Sequence, residues 1–147
     1  MAGTDASGVP DTVLPGLCWS FRGGTYADRD AFDRKVRQYQ IDTLEKDCWA
    51  PQTVVLPCPR VRVAFMYWQG DDQLDGLLEL VSDDGAGFTA LELLFKIHNA
   101  VVGPLQGDNH CFFEGLGLHS NQAAGKPPLY VLGQGSRAQA RRTRRCT

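Results

Sequence analysis

Residues 87–118 read GFTALELLFKIHNAVVGPLQGDNHCFFEGLGL and hold the clearest helix start in the chain, its densest apolar content and two of its three histidines. Thr89 and Glu92 stand in the T-x-x-E order of a capping box, where each side chain accepts from an orphan backbone N–H of the first turn. Phe88 before the cap and Leu93 beyond it have the spacing of a hydrophobic staple. From Ala90 to Val102 apolar residues cover most of the helix circumference. Only Glu92, Lys96 and Asn99 form a polar stripe, with Glu92 and Lys96 in the favourable i,i+4 order. Such a helix needs cover on more than one side, so the pattern predicts a largely buried helix over about 89–102. Gly103-Pro104 stops it, and His110 to Leu118 reads as a strand.

Working outward, Leu17 to Arg22 (LCWSFR) reads as a first strand ended by Gly23-Gly24. Asp28 or Asp30 can cap a helix running to about Leu44, with Phe32, Val36, Tyr39 or Gln40, and Thr43 inside. Pro51, Pro57 and Pro59 forbid a helix, and Thr53–Leu56 suits an edge segment. Val61 to Trp68 (VRVAFMYW) is the best strand. Val61, Val63, Phe65 and Tyr67 share one face, and Arg62, Ala64, Met66 and Trp68 share the other. Both faces become apolar in its second half, which places it inside a sheet. Gln69–Gly76 (QGDDQLDG) reads as an acidic turn, Leu77–Val81 as the returning strand and Leu129–Leu132 as the last strand. The expected class is α+β: a mostly antiparallel sheet of five to six strands with two helices on one face. The unpatterned residues 1–16 read as a flexible leader, 17–136 as a single domain and 137–147 as a basic disordered tail.

Charge divides unevenly. The chain has 15 basic and 17 acidic residues, but five arginines and no acid fall after residue 136. Without that tail the balance is 10 basic against 17 acidic residues, or −7. A nucleic-acid reader is ordinarily basic over its body, so nucleic acid is not the expected partner. No apolar run approaches the roughly 20 residues that span a bilayer, and residues 1–16 lack a secretory pattern. Five cysteines without a C-x-x-C pair read as reduced thiols. Together these predict a cytoplasmic protein with no membrane partner.

Two groups of residues could carry function. Asp108, His110 and Glu114, with His98 nearby, are residue types suited to acid–base work or zinc. Their spacing is poor, because His110 and Glu114 on one strand stand roughly 13 Å apart at about 3.3 Å per residue. His98 falls beside the apolar helix face, where a hydrogen-bonded core histidine is the commoner role. Gly115 and Gly117 invite a bulge that turns Glu114 outward. No metal and no cofactor are expected. The second group is acidic: Asp71, Asp72, Asp75 and Glu79 around one turn, Asp83 and Asp84 at the next, with Trp68, Leu74 and Tyr67 as apolar anchors. Carboxylates on neighbouring turns of an acidic body can steer a basic partner. The expected function is therefore a small acidic binding or inhibitor protein, immunity- or antitoxin-like and of bacterial type, neutralising a basic partner such as a toxin nuclease. The alternative is a small hydrolase or metal-dependent enzyme using His110, Glu114 and Asp108.

Overall fold

The computed structural model describes residues 8–136. Seven strands, β1 (Thr12–Val13), β2 (Val54–Leu56), β3 (Arg60–Gln69), β4 (Asp72–Val81), β5 (Phe88–Thr89), β6 (Phe112–Leu118) and β7 (Leu129–Gly135), accompany two helices, α1 (Arg29–Leu44) and α2 (Ala90–Val101). The main sheet has the order β1-β6-β7-β3-β4, and β2 pairs with β5 in a small second sheet. The class is α+β, as expected. The sheet is mixed, however, because β3 and β7 run parallel, with Val63 opposite Tyr130. Hairpin turns specify antiparallel neighbours locally. The β3–β7 pair is instead brought together across α2, by residues more than 60 positions apart, and no turn announces it.

Helix α2 is sheathed on most sides. Leu93, Leu94, Ile97 and Val101 are fully buried, beside Phe32 and Val36 of α1 and Val61, Val63, Tyr130 and Leu116 of the sheet. Thr89 caps the helix by accepting from the Glu92 N–H at 3.1 Å. The reciprocal half of the capping box is missing. Glu92 is buried and accepts from the Asp83 N–H at 2.7 Å and from Lys96 Nζ at 2.8 Å. It joins the helix start to the end of β4 instead of closing on its own cap. Asp28 caps α1, whose buried positions are Phe32, Val36, Gln40 and Leu44. Gln40 serves as a backbone surrogate: its Oε1 accepts from Cys18 N–H at 3.0 Å and its Nε2 donates to Cys18 O and Val36 O.

Three boundaries differ from expectation. The 17–22 segment forms only an isolated bridge, Ser20 with Phe112, although Phe21 N–H donates to Cys111 O and Phe113 N–H to Trp19 O. The leader assigned to 1–16 is too long. Thr12 and Val13 pair with Gly117 and Leu116, Val13 is buried, and the Tyr130 hydroxyl donates to Pro10 O at 2.6 Å. A two-residue strand has no period to read, which is why composition hid it. Residues 1–7 of that leader and all of the 137–147 tail lie outside the described residues. Finally, the acidic turn shrinks to Gly70-Asp71, with Gln69 opposite Asp72. Gly70 has φ 64° while Asp71 keeps a negative φ, the arrangement of a two-residue II′ hairpin with glycine first.

Candidate binding face

The tight turn makes β3 and β4 a hairpin of ten residues per strand, with β4 at the sheet edge. Its alternation separates two faces. Val61, Val63 and Phe65 point into the core with Leu78 and Leu80 packed beside them. On the other face Ala64 lies between Leu77 and Val131, Met66 opposite Asp75, and Trp68 opposite Gln73. Seven large apolar side chains are exposed among the described residues, and five of them, Met66, Trp68, Leu77, Val81 and Val131, belong to this outer face. Leu77 is 54% exposed and Trp68 45%. From Val63 to its register partner Leu78 the hairpin carries Asp71, Asp72 and Asp75 and no lysine or arginine; beyond it Glu79 stands opposite Arg62 and Val81 opposite Arg60. None of these four carboxylates takes part in an ion pair among the described residues.

The expected partner-binding residues do not form one patch. Trp68 and Asp75 share the outer face, and Asp71 occupies the turn at its end. Asp72 begins β4 opposite Gln69. Leu74 pairs with Tyr67 on the inner side, half-buried. Asp83 and Asp84 follow the far end of β4, about 30 Å away at 3.3 Å per residue, and both have internal duties. Asp83 is bridged by Arg29 at 2.8 Å and Lys96 at 2.9 Å, and hydrogen bonds from Lys96 and then Arg29 hold its carboxyl below the usual range. Asp84 accepts from the backbone N–H groups of Ala86 at 2.8 Å and Gly87 at 3.1 Å, which lowers its pKa. Burial opposes the charge on Lys96, but its hydrogen bonds to Glu92 and Asp83 outweigh that and raise its pKa.

The four residues of the enzymatic alternative are also dispersed. His98 is fully buried; its Nδ1 accepts from Trp19 Nε1–H at 3.1 Å and its Nε2 faces Gly24 O at 2.8 Å. Those partners fix a neutral ring with the proton on Nε2. Trp19, Tyr26 and Phe32 crowd it with ring centroids 5.4–5.7 Å away. Glu114 is exposed, because the register shifts between Phe113 and Leu116 and Gly115 takes φ 89°. Phe112 and Phe113 are consequently both buried. Only Asp108 and His110 meet, with His110 Nδ1 at 3.5 Å from Asp108 Oδ1, in the loop before β6 rather than on it. No group of three His, Cys, Asp or Glu side chains that could hold a metal occurs among the described residues.

Sequence reasoning named Trp68, Asp75 and Glu79 but missed Met66, Leu77, Val81 and Val131. The signal was present in the apolar even-numbered side of Val61–Trp68, read there as a second buried face. The structure leaves that face open. The cysteine reading also changes: Cys18, Cys58 and Cys111 are free thiols, whereas Cys48 is disulfide-bonded. That weakens the cysteine argument for a reducing compartment. No helix among the described residues is long and apolar enough to cross a membrane. In comparison with known proteins, no family model, no curated protein and no solved structure matches the chain.

Proposed function

We propose that this chain is a non-catalytic binding protein, immunity- or antitoxin-like, which neutralises a basic protein such as a toxin nuclease through the outer face of the β3–β4 hairpin. One observation carries the reading: five exposed apolar side chains on one face of the sheet, with Asp71, Asp72 and Asp75 at the turn end of the hairpin and no lysine or arginine between Val63 and Leu78. Exposed apolar residues gathered on one face mark interaction surfaces, and aromatic anchors commonly carry interface energy. The carboxylates select the sign of the partner and speed its approach. Over residues 8–136 the charge balance is 10 basic against 16 acidic residues, a net of −6, which favours a basic partner further. A cytoplasmic site of action goes with this reading. The test is co-expression with basic bacterial nuclease toxins. Protection by the wild-type chain, lost on Leu77→Asp in a protein that still folds, is the expected outcome. Protection that survives Leu77→Asp and Trp68→Ala together removes this face from the function.

A further inference from the structure

The two edges of the main sheet are finished differently. Beside β6, Thr12 and Val13 pair with Gly117 and Leu116, and Ser20 bridges Phe112. Leu118 N–H donates to Asp11 O and Phe113 N–H to Trp19 O, so that edge is closed. The opposite edge is β4, and among the described residues only β3 pairs with it. Gln69 and Asp72 close a two-residue turn as a hydrogen-bonded pair, so the even-numbered residues of β4 bond to β3. The N–H and C=O groups of Gln73, Asp75, Leu77 and Glu79 therefore point away from the sheet. The far end of the strand keeps the same alternation: Ser82 N–H turns inward to Pro59 O, and Val81 O turns outward to take Lys96 Nζ. All four residues are exposed, and no described residue bonds to their outward backbone groups. Natural edge strands are usually short, bulged, or guarded by lysine or proline, which keeps other chains from pairing with them. β4 has none of these guards: it runs ten residues in unbroken register with β3 and contains neither lysine nor proline.

We infer that β4 takes up an extended segment of the basic partner as a sixth, antiparallel strand of the main sheet. The basic partner rests on the function proposed above; the open edge does not. Antiparallel pairing forms the stronger ladder per residue, and it sets side chains directly opposite one another on the same face. The edge then chooses its sequence. On the outer face it presents Asp75, Leu77 and Glu79 at alternate positions, and neither carboxylate is in an ion pair among the described residues. The segment that fits carries a lysine or arginine, an apolar residue and a second lysine or arginine, each two positions apart. Its apolar residue lies opposite Leu77 and continues the cross-strand row of Val131, Ala64 and Leu77. A second copy of this chain is a poor occupant. β4 paired with itself sets acidic strand against acidic strand with no lysine or arginine in either, and like charges across a strand pair oppose it.

The probe is the peptide acetyl-TKTVTKT-amide, titrated into the isotope-labelled full chain and followed by NMR shifts and amide hydrogen exchange. In the free chain the amides of Asp75, Leu77 and Glu79 should exchange faster than those of Leu74, Leu78 and Leu80. Slow exchange at the first three would mean that a second copy or residues 137–147 already cover the edge, and it overturns the assignment. Saturable binding that slows exchange at those three amides is expected. The same peptide methylated on the valine nitrogen keeps both charges but loses a ladder bond, and should bind about tenfold more weakly. Acetyl-TETVTET-amide should not bind. Asp75→Asn should weaken binding a few-fold through the lost charge. Asp75→Pro also removes an outward N–H, at an edge position where proline is tolerated, and should abolish it. Should the proline variant fail to fold, the methylated peptide on the wild type makes the same comparison. Equal affinity for the methylated and unmethylated peptides, or binding without slowed exchange, reduces the contact to charge attraction and overturns strand addition. A toxin complex lost on Leu77→Asp but intact in a folded Asp75→Pro removes strand addition and leaves the docking face standing. Peptide pairing with β4 in a chain that protects against no toxin does the reverse.

Discussion

A histidine shut inside a protein is held in one charge state by the groups around it, and His98 is held neutral. Its Nδ1 must stay unprotonated to accept from Trp19, and its Nε2–H answers Gly24 O. Burial of the ring pushes its pKa below the ordinary 6.5, and the bond to Gly24 only partly opposes that shift. The unfolded chain therefore takes up a proton more readily than the folded one as acid is added. Stability from this site is full above pH 6.5 and is lost as pH falls below it through the depressed folded value. Urea unfolding from pH 8 to pH 5 should show that decline in the wild type and a shallower one in His98→Gln. Losing the ring also leaves Trp19 Nε1–H or Gly24 O short of a partner, which costs about 1–3 kcal/mol. Parallel pH profiles for the two proteins would show that His98 does not supply the sensitivity.

At the scale of elements, α2 organises the chain, and its energetics separate by position. Leu94→Ala or Ile97→Ala should cost about 2–5 kcal/mol, as large-to-small changes in a closed core do, read as a drop in urea midpoint. Thr89→Ala should cost roughly 1 kcal/mol, because only the Glu92 N–H is released. Midpoints unchanged within error for both leucine and isoleucine variants would contradict the burial. This helix was legible because capping chemistry and the 3.6-residue period agree over its whole length. The α1 cap at Asp28 and the outward turn of Glu114 at the glycine bulge were legible for similar local reasons. The parallel β3–β7 pair was not, since its register is set by packing between distant segments. The proposed binding face was not legible for another reason. Alternation along β3 shows that Met66 and Trp68 share a side, but nothing in the strand says whether a second layer covers that side. Leu77 and Val131 join them only through cross-strand register. The proposed site became visible as a surface only once the sheet was assembled.

For the whole molecule, charge and apolar surface should act on different rates of binding. Asp71, Asp72 and Asp75 sit at the exposed end of the hairpin, where single ion pairs contribute little. Their joint field reaches a basic surface before contact and raises the encounter rate, an effect that salt screens over about 8 Å at physiological ionic strength. Trp68 and Leu77 act only after contact, through area removed from water, so their loss should appear as faster escape. Changing the three aspartates to Asn should slow association with a protective partner several-fold at low salt, with little change in dissociation. Raising the salt should shrink the difference from wild type. Trp68→Ala should leave association nearly intact and speed dissociation. Asp83→Asn serves as the internal control, because that carboxylate is already bridged by Arg29 and Lys96 at the far end of β4. It should lower stability slightly and leave both rate constants alone. Surface-plasmon measurements at two salt concentrations separate these outcomes. An association rate that falls as much for Asp83→Asn as for the triple variant would mean that net charge alone steers the partner, and that the hairpin end has no special part in it.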